Sequence, residues 1–384
     1  MVEWKIPLFK IYWDNEDVEL VSEAIKKGMF WAIGSNIDTF EKKISECIGS
    51  KYAITFNSGT SALHAALLAY GISKDDEVIV PSFTFIATAN APLFVGARPV
   101  FADNVSTENL NISPEEIEKK ITKKTKAIIV MHYGGYPCNM KAIMGIAKRH
   151  GLYVIEDAAH APGAEYHGKK CGLIGDVGCF SFFSNKNLVT GEGGMTVTRN
   201  RTLAERIQRM RSHGMEALSW DKYRGRLSSY DIGGLGYNYR TTDIQSALGL
   251  VQLKKLDRNN RKRKRLVETY LNGLEKIEEI SIPFSKLKGH PSYHLFPILV
   301  AHHIDRNKVM ERLRRFGIQT SVHYPPVHLF SFYRTRFGFR RGMLPQTEGV
   351  SRREVTLPLH PRMAEGDVKW IAEKVREALK GMTE

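Results

Sequence analysis

The 384-residue sequence predicts an α/β fold, in which a large domain with a mostly parallel seven-stranded sheet flanked by helices precedes a smaller C-terminal α+β domain. Two observations predict this fold. Between residues 51 and 199, short apolar or β-branched runs alternate with helical patterns, and several runs lack the polar alternation of half-exposed strands. Beyond residue 241 the pattern changes to one long helix followed by a short mixture of strands and helices.

The predicted strands of the large domain are separated by Gly, Pro, Asp and Asn residues. Helices are predicted between them at SALHAALLAYG, PEEIEKKI and MKAIMGIAKRHG, and the first and last of these end in a glycine that can close the helix. A β-α-β alternation of this length favours a parallel sheet. The strands are YAITF (52–56), EVIVPS (77–82), RPVFAD (98–103), AIIVMH (127–132), LYVIED (152–157), GCFSFF (178–183) and GMTVTR (194–199).

The C-terminal part begins with a long helix, predicted from Asp243 to about Lys276. After a Pro-rich loop, we predict strands within SYHLFPILV and IQTSVHY and a closing helix from Gly366 to Lys380. We place the domain boundary near residue 250, which gives a large α/β domain over 1–250 and a small α+β domain over 251–384.

Positive charge is concentrated in the last third of the chain. Residues 251–384 contain 27 Lys and Arg against 14 Asp and Glu, a net of +13 out of +15 for the whole sequence. Nucleic acid, anionic lipid or a phosphorylated small molecule would each fit such a surface, and composition does not choose among them. The run from Arg261 to Arg265 is expected to form a solvated face of the long helix.

The cysteines and the N-terminus favour a cytoplasmic protein. The four cysteines are far apart and form neither a CxxC pair nor a zinc-ligand spacing, so we expect a reducing compartment and no metal. The first residues carry acidic side chains without a long apolar core, so we expect no signal peptide in them. No run reaches the roughly 18 apolar residues that span a bilayer, so no membrane partner is expected.

The first candidate site is Asn57-Ser-Gly-Thr-Ser61, which follows the first strand and opens a helix. Small hydroxyl residues and a glycine at a helix N-terminus offer free N–H groups and short donors to a phosphate. An ordinary capped turn between strand and helix explains the motif equally well.

The second candidate site is Glu156-Asp157-Ala-Ala-His160, at the end of the apolar strand LYVI. A carboxylate that emerges from a buried strand needs a cation or a donor to offset its desolvation, and a protonated heterocyclic nitrogen would serve. Capping of a neighbouring loop is the alternative for Asp157. His160 could stack above a ligand, or it could form hydrogen bonds that only hold the loop in place.

The third candidate site is Lys186, which follows the aromatic strand FSFF and precedes a turn that contains Gly191, Gly193 and Gly194. Desolvation lowers the pKa of a lysine, and its neutral amine can form a Schiff base with a carbonyl. The glycines would allow positive φ or a close approach of the backbone to a ligand. A phosphate site, a carboxylate suited to a pyridinium nitrogen and such a lysine together indicate pyridoxal phosphate.

Six blocks in order resemble the DegT/StrS family of nucleotide-sugar aminotransferases, a branch of the fold type I enzymes, over almost the whole chain. They are FEKKISECIGSKYAITFNSGTSALHAALLAYGI, DEVIVPSFTFIATANAPLFVGARPVFAD, VIEDAAHAPGA, GDVGCFSFFSNKNLVTGEGGM, GYNYRTTDIQSALGLVQL and HYPPVH.

The resemblance implies that Lys186 binds the cofactor as a Schiff base and later moves the proton, while Asp157 keeps the ring nitrogen protonated. It also implies a homodimer with shared active sites. Arg240, Tyr324 and His328, with His213, are candidates for the sugar or donor site, although structural roles fit them equally well. The implied further cofactor contacts are Phe85 on the ring face, His160 close by, Thr60, Ser61 and Ser181 at the phosphate, and Asn238 reaching the phosphate from the neighbouring subunit.

The implied reaction moves an amino group from glutamate or a similar donor to a nucleotide-linked keto-sugar, with pyridoxamine phosphate as the intermediate form of the cofactor. Related dehydratases carry His where this sequence has Lys186, which favours amino transfer. The GEGG after the lysine resembles members that aminate a 4-keto-6-deoxy sugar, as in GDP-perosamine-type or UDP-4-amino-sugar synthesis. A 3-keto-sugar or cyclitol aminotransferase is the alternative.

A DNA-binding regulatory protein is the alternative from another class, suggested by the basic run from Arg261 to Arg265. No recognisable helix-turn-helix or aromatic RNA-binding motif accompanies that run. We therefore expect no nucleic-acid partner.

Overall fold

The structure is a computed structural model that describes residues 4–215, 231–287 and 289–382. Its larger part alternates strands and helices, and the bounds of the elements up to residue 211 follow in chain order. They are α1 Asn15–Lys26, α2 Ser35–Ile48, β1 Tyr52–Phe56, α3 Gly59–Ala69, β2 Glu77–Pro81, α4 Ile86–Phe94, β3 Arg98–Ala102, α5 Pro114–Lys120, β4 Thr125–Met131, α6 Met140–His150, β5 Tyr153–Asp157, β6 Glu165–Tyr166, β7 Lys169–Lys170, β8 Val177–Ser181, β9 Gly194–Thr198 and α7 Arg201–Arg211.

The C-terminal part begins with a long helix. Its elements are α8 Asp243–Leu274, β10 Ile280–Ser281, β11 Phe296–Val300, α9 Arg306–Arg315, α10 Ser331–Phe337, α11 Pro345–Arg353, β12 Glu354–Leu357 and α12 Glu365–Leu379. None of the helices in the described ranges is long and apolar enough to cross a membrane.

The main sheet contains the seven predicted strands in the order β1-β9-β8-β5-β4-β2-β3. Every neighbouring pair is parallel except those of β9, which runs antiparallel to both β1 and β8. The predicted α/β class with a mostly parallel seven-stranded sheet is therefore confirmed. The short β6–β7 hairpin was not predicted, because two-residue strands have no detectable periodicity.

Local sequence explains where several helices begin and end. Ser58 and Asn139 cap the N-termini of α3 and α6 through their side chains, and Gly151 ends α6 with a φ of 64°. Helix α8 starts with a capping box between Thr242 and Gln245.

The small C-terminal sheet differs from its prediction in one strand. It has the order β10-β11-β12, so the predicted strand in SYHLFPILV is present as β11. The predicted strand in IQTSVHY is wrong: residues 318–324 make only isolated bridges, from Ile318 to Ile6 and from Ser321 to Thr356. The segment is divided between two partners, and the two prolines that follow it cannot donate to a ladder.

Helix α8 runs without a break across residue 250 and contacts two hydrophobic clusters. Leu256 packs with residues of the large sheet, whereas Leu266 and Tyr270 pack with β11, β12 and α12. Ile6, near the start of the chain, joins this second cluster. The domain boundary near residue 250 stays a prediction.

Candidate active site

A cavity of about 430 Å³ lies at the carboxyl ends of β1, β5 and β8, where ligands collect in α/β sheets. It brings together seven of the residues predicted as catalytic, cofactor-binding or substrate residues. These are Thr60, Phe85, Asp157, His160, Ser181, Lys186 and Tyr324.

The N-terminus of α3 forms one wall of this cavity. Ser58 accepts a hydrogen bond from the N–H of Ser61 at 3.1 Å, and the N–H groups of Gly59 and Thr60 have no acceptor within the helix. A Cβ on Gly59 would lie 2.9 Å from the Cβ of Ser181, so only glycine lets the helix end approach β8 this closely. The result is a positive helix terminus next to the hydroxyl groups of Thr60 and Ser181.

Asp157 is a buried carboxylate at the end of β5, with 5% of its surface exposed. Its Oδ2 accepts from the hydroxyl of Thr88 at 2.7 Å, and its Oδ1 accepts from the N–H of Ala159 at 3.2 Å. Burial raises the pKa of Asp157, although these hydrogen bonds and the charge of Lys186 oppose the rise. A cation in the cavity would stabilise its charged form.

Lys186 lies just beyond β8 and borders the same cavity as Asp157. Desolvation lowers the pKa of its amine to about 8, although the negative charge of Asp157 opposes this effect. About a tenth of the amine is therefore neutral at pH 7, far more than for an ordinary lysine, and is able to attack a carbonyl.

His160 is held in place from both sides of its ring. Its Nδ1 accepts from the N–H of Gly134 at 3.3 Å, so Nε2 carries the proton of the neutral ring and faces the hydroxyl of Tyr324 at 3.1 Å. His294 lies behind it, with ring centroids 4.3 Å apart. Burial, together with the charge of Lys186, lowers the pKa of His160 well below its ordinary value, so the ring stays neutral.

The glycines after Lys186 shape the turn rather than leaving open space. Gly191 has a φ of 83°, as the sequence pattern allowed. A Cβ on Gly193 would lie 2.3 Å from Oγ1 of Thr190, and one on Gly194 would lie 2.3 Å from the carbonyl oxygen of Ser58. These two glycines thus allow the turn to pack closely against Thr190 and against the backbone of Ser58.

Glu156, the neighbour of Asp157, anchors a loop instead of facing the cavity. It accepts backbone hydrogen bonds from Gly172, Ile174 and Gly175 and lies 2.9 Å from Nε2 of His132. Capping of a neighbouring loop was the alternative role for Asp157, but in the structure it is mainly Glu156 that caps the loop at residues 172–175. Cys171 lies beside this pair, but the oxygens of Glu156 are already occupied by donors.

Four predicted residues do not line the cavity in the described part of the chain. Ser61 is buried behind the cavity wall, and its hydroxyl donates to Oδ1 of Asn57 at 2.7 Å. Asn238 is exposed, and Arg240 donates to Ser212 at 3.1 Å. His328 is fully buried between the hydroxyl of Ser82 at 2.7 Å and Glu348 at 3.2 Å. The further candidate His213 also lies outside the lining.

Sequence reasoning missed residues that hold the site together. Thr88 fixes Asp157, and its only signal was its place in the block SFTFIATAN. His323 and Glu192 line the cavity, and they belong to the HYPPVH and GEGG segments of the family resemblance. His294 gave no signal, because it packs on His160 only through the tertiary fold.

The residues present fit pyridoxal phosphate. The helix end and the hydroxyls of Thr60 and Ser181 suit its phosphate, Asp157 suits its ring nitrogen, and Lys186 suits its carbonyl. A family model for the DegT/DnrJ/EryC1/StrS aminotransferases matches residues 12–376. The chain belongs to this family. The resemblance seen in the sequence and the expectation of a pyridoxal-phosphate-dependent aminotransferase are confirmed.

Individual proteins similar to this aminotransferase cover nearly its whole length. GDP-perosamine synthase of Escherichia coli O157:H7 is 36% identical over 97% of this chain and 98% of its own. PseC of Helicobacter pylori, an aminotransferase involved in pseudaminic acid biosynthesis, has a structure with a TM-score of 0.91, 31% identity and coverage of 97% and 98%. Spr1654 of Streptococcus pneumoniae, solved in its pyridoxal phosphate form, has a TM-score of 0.90, 26% identity and full coverage of both chains, 100% each.

Proposed function

We propose that this enzyme is a sugar aminotransferase that moves an amino group from glutamate or a similar donor to a nucleotide-linked 4-keto-6-deoxy sugar. The observation that carries the aminotransferase chemistry is the Lys186 amine, with its pKa lowered to about 8, in one cavity with Asp157 and the N-terminus of α3. The 4-keto preference rests on the GEGG sequence at 191–194 and on the similarity to GDP-perosamine synthase.

Each side chain has a distinct task in this proposal. When bound, the cofactor supplies a carbonyl and a protonated ring that draws electrons from the reacting carbon. Lys186 bonds to that carbonyl as a neutral amine and, once released, accepts and returns the proton as a general base and acid. The Asp157 carboxylate keeps the ring nitrogen charged. Thr60, with the N–H groups at the start of α3, and Ser181 donate to the phosphate.

Phe85, with 55% of its surface exposed, is proposed to cover one face of the ring, and Tyr324 stands 6.2 Å from it between ring centroids. Tyr324 and His160 form a hydrogen-bonded pair at the cavity wall, which makes Tyr324 a suitable contact for the sugar or the donor. Arg240 and His328 would affect substrate binding only indirectly. Arg240 donates to Ser212, and His328 bonds to Ser82, and neither serine lines the cavity.

The acceptor is identified by product analysis. The pyridoxamine phosphate form of the enzyme is incubated with matched nucleotide-linked 3-keto and 4-keto sugars, and the products are weighed by mass spectrometry. We expect amination of the 4-keto substrates only. Amination restricted to 3-keto sugars or cyclitols would replace the 4-keto assignment, and no amination of any sugar would overturn the sugar class.

We further propose a homodimer in which Asn238 completes the partner's site. Asn238 is exposed and does not line the cavity of its own chain. Large apolar side chains are exposed along the same chain segment and at the cavity, including Leu235 at 80%, Ile232 at 55% and Phe183 at 43%. Apolar surface of this kind favours burial against a second copy.

Mixing two inactive variants tests the shared site. We expect Lys186→Ala and Asn238→Asp to be inactive separately, since the added carboxylate repels the cofactor phosphate. Refolded together in equal amounts, they should regain about a quarter of wild-type activity, because half of the dimers then carry one intact site. If Asn238 served its own chain, the mixture would stay inactive.

The lowered pKa of Lys186 predicts the pH dependence of cofactor attachment. Only the neutral amine attacks a carbonyl, so the attachment rate of the apoenzyme should rise with pH through about 8 instead of near the ordinary lysine value of 10.5. Stopped-flow absorbance with pyridoxal, which lacks the phosphate charge, measures this rate. Nα-acetyl-lysine, whose side-chain amine is free, provides the reference. A rate profile of the enzyme that coincides with the profile of this reference amine contradicts the prediction.

The proposed place of action is the reducing cytoplasm. All four cysteines are free thiols, and Cys138, Cys171 and Cys179 are buried. Unpaired thiols of this kind are typical of reducing compartments.

A further inference from the structure

Strand β12 presents two polar side chains to the segment that carries His323. Glu354 and Thr356 are two positions apart in this strand, so their side chains lie on the same face of it. A bridge between Ser321 and Thr356 brings residues 321–324 alongside. Glu354 is fully buried and Thr356 is 1% exposed, whereas His323 lines the large cavity. The strand therefore connects a buried carboxyl group to a residue of the site.

Three of the four polar groups of His323 are held by neighbouring protein groups. Its N–H donates to Oε2 of Glu354 at 2.8 Å, and its carbonyl oxygen accepts from the hydroxyl of Tyr133 at 2.6 Å. Its Nδ1 lies 2.9 Å from Oγ1 of Thr356. The fourth group, Nε2, makes no hydrogen bond within the described ranges and is not sealed from solvent, so it is open to the cavity.

The hydroxyl of Thr356 joins Glu354 to His323. Its Oγ1 contacts Oε1 of Glu354 on one side and Nδ1 of His323 on the other. A hydroxyl has one proton, so it donates to only one of these two neighbours. If Glu354 is ionised, Thr356 donates to Oε1, Nδ1 carries the ring proton, and Nε2 is a bare acceptor. If Glu354 is protonated, its O–H donates to Thr356, Thr356 donates to Nδ1, and Nε2 carries the ring proton.

Both charge states of Glu354 are accessible near neutral pH. Burial raises the pKa of Glu354 to about 8, although the hydrogen bonds from Thr356 and from the N–H of His323, and the charge of Arg306, oppose the rise. Arg306, on α9, donates to the backbone carbonyl oxygens of Ser351 and of Glu354 instead of to the carboxyl group. Its charge therefore acts on the carboxyl group without a direct ion pair.

The other titratable groups around Glu354 stay neutral. Burial, together with the charge of Lys186, lowers the pKa of His323 to about 4, so its ring is uncharged near neutral pH. Tyr133 and Tyr324 also face Glu354, and burial raises the pKa of each above its ordinary value. The protonation of Glu354 is therefore the change that redistributes protons along this chain of groups.

We propose that Glu354, acting through Thr356, sets which ring nitrogen of His323 carries the proton, and so whether Nε2 offers the cavity a donor or an acceptor. The proton of the buried Glu354 leaves along the same path. Nε2 releases its proton to the cavity, Thr356 passes its proton to Nδ1, and Oε1 passes its proton to Thr356. Glu354 and Thr356 are positioning residues, since neither lines the cavity.

The protonated form of this relay suits a sugar substrate. Nε2–H can donate to an oxygen of the sugar, which a bare Nε2 cannot. Ionisation of Glu354 should therefore weaken productive binding of the sugar about ten-fold, a usual effect of one lost hydrogen bond. This consequence rests on the proposed function, whereas the tautomer of His323 is measurable without any sugar.

Nitrogen NMR measures the tautomer directly. The holoenzyme is labelled with ¹⁵N-histidine, and the His323 signals are those that disappear in His323→Gln. Between about pH 6.5 and about pH 9.5, we expect Nε2 of the wild type to change from a protonated to a bare nitrogen. In Glu354→Gln the amide oxygen accepts from the N–H of His323, so its NH₂ donates to Thr356 and Nε2 should stay protonated throughout. The exposed Glu373→Gln should follow the wild type.

Two results would overturn the proposal. One is a wild-type ring whose protonated nitrogen is the same at both ends of the pH range, and the other is a ring that also changes in Glu354→Gln. If that variant fails to fold, Thr356 supplies the test. Thr356→Val lacks the hydroxyl and should uncouple the ring from pH, whereas Thr356→Ser should keep the wild-type response. Equal responses of the two variants contradict the relay.

Kinetics test the contact with the sugar. For the accepted keto-sugar, kcat/KM of Glu354→Gln divided by that of the wild type should be about one at about pH 7 and rise about ten-fold by about pH 9. The ratio cancels the ionisation of Lys186, which both enzymes share. A flat ratio with the expected tautomers overturns the contact between His323 and the sugar. No amination by either enzyme overturns the proposed function instead.

Discussion

Lys186→Ala is expected to lower kcat for amino-sugar formation by about 10³-fold to 10⁴-fold, because the change removes the amine that is proposed both to bond to the cofactor and to move the proton. The variant should still bind pyridoxal phosphate, but without the absorbance of a Schiff base. Steady-state kinetics with the accepted sugar and an absorbance spectrum of the purified protein measure the two effects.

Two controls separate the chemistry of Lys186 from its charge and from general damage. Lys186→Arg keeps the positive charge but not the reactive amine, so it should be nearly as inactive as the alanine variant. Lys169→Ala removes an exposed lysine of β7 and should leave the activity unchanged. A Lys186→Ala enzyme that keeps more than about a tenth of wild-type kcat would contradict the assigned role.

Asp157→Asn should lower kcat by about 10²-fold to 10³-fold, because the buried negative charge that is proposed to stabilise a protonated ring is lost while the shape is kept. The amide oxygen of the new side chain can still accept from the N–H of Ala159, which Asp157 now accepts at 3.2 Å. The fold should therefore survive, as circular dichroism can check. Asp75→Asn makes the same change at an exposed loop position and serves as the control.

Thr88 allows a sharper test of the same carboxylate, since its hydroxyl donates to Oδ2 of Asp157 at 2.7 Å. Thr88→Val is expected to lower kcat about ten-fold, by loss of one hydrogen bond to a charged group. Because Thr88 acts through Asp157, the double variant should be no slower than Asp157→Asn alone. Additive losses would show that Thr88 has a separate role, and wild-type activity in Asp157→Asn would remove the proposed charge pair.

The sheet was largely predictable from the sequence. Strands covered by helices on both sides are short apolar runs bounded by turn residues, and all seven strands of the sheet were recognised from such runs. The small C-terminal sheet was less predictable. The run Glu354–Leu357, which forms β12, resembles a helix end, because it directly follows α11 without an intervening turn.

The residues that line the cavity were predictable where each one follows a strand. Lys186, Asp157 and Thr60 stand just beyond β8, at the end of β5 and just beyond β1, and parallel strands bring such ends together. Residues from distant loops were not predictable in this way. His328 was a reasonable candidate from the HYPPVH block, but the fold buries it against Ser82 and Glu348.

The sequence by itself determined the order of the elements, the strand ends that carry chemistry, and the concentration of positive charge in the last third. It did not determine which of two adjacent carboxylates faces the cavity, because Glu156 and Asp157 point to opposite sides of β5 and only the packed loops assign their partners. Nor did it distinguish Arg263 within its basic run. The expected solvated face is wrong at that position, because segments near residues 293 and 359 close over one guanidinium and leave its neighbours in solvent. Local pattern fixes what a residue can do, but its burial and its partners come from chain segments far away in sequence.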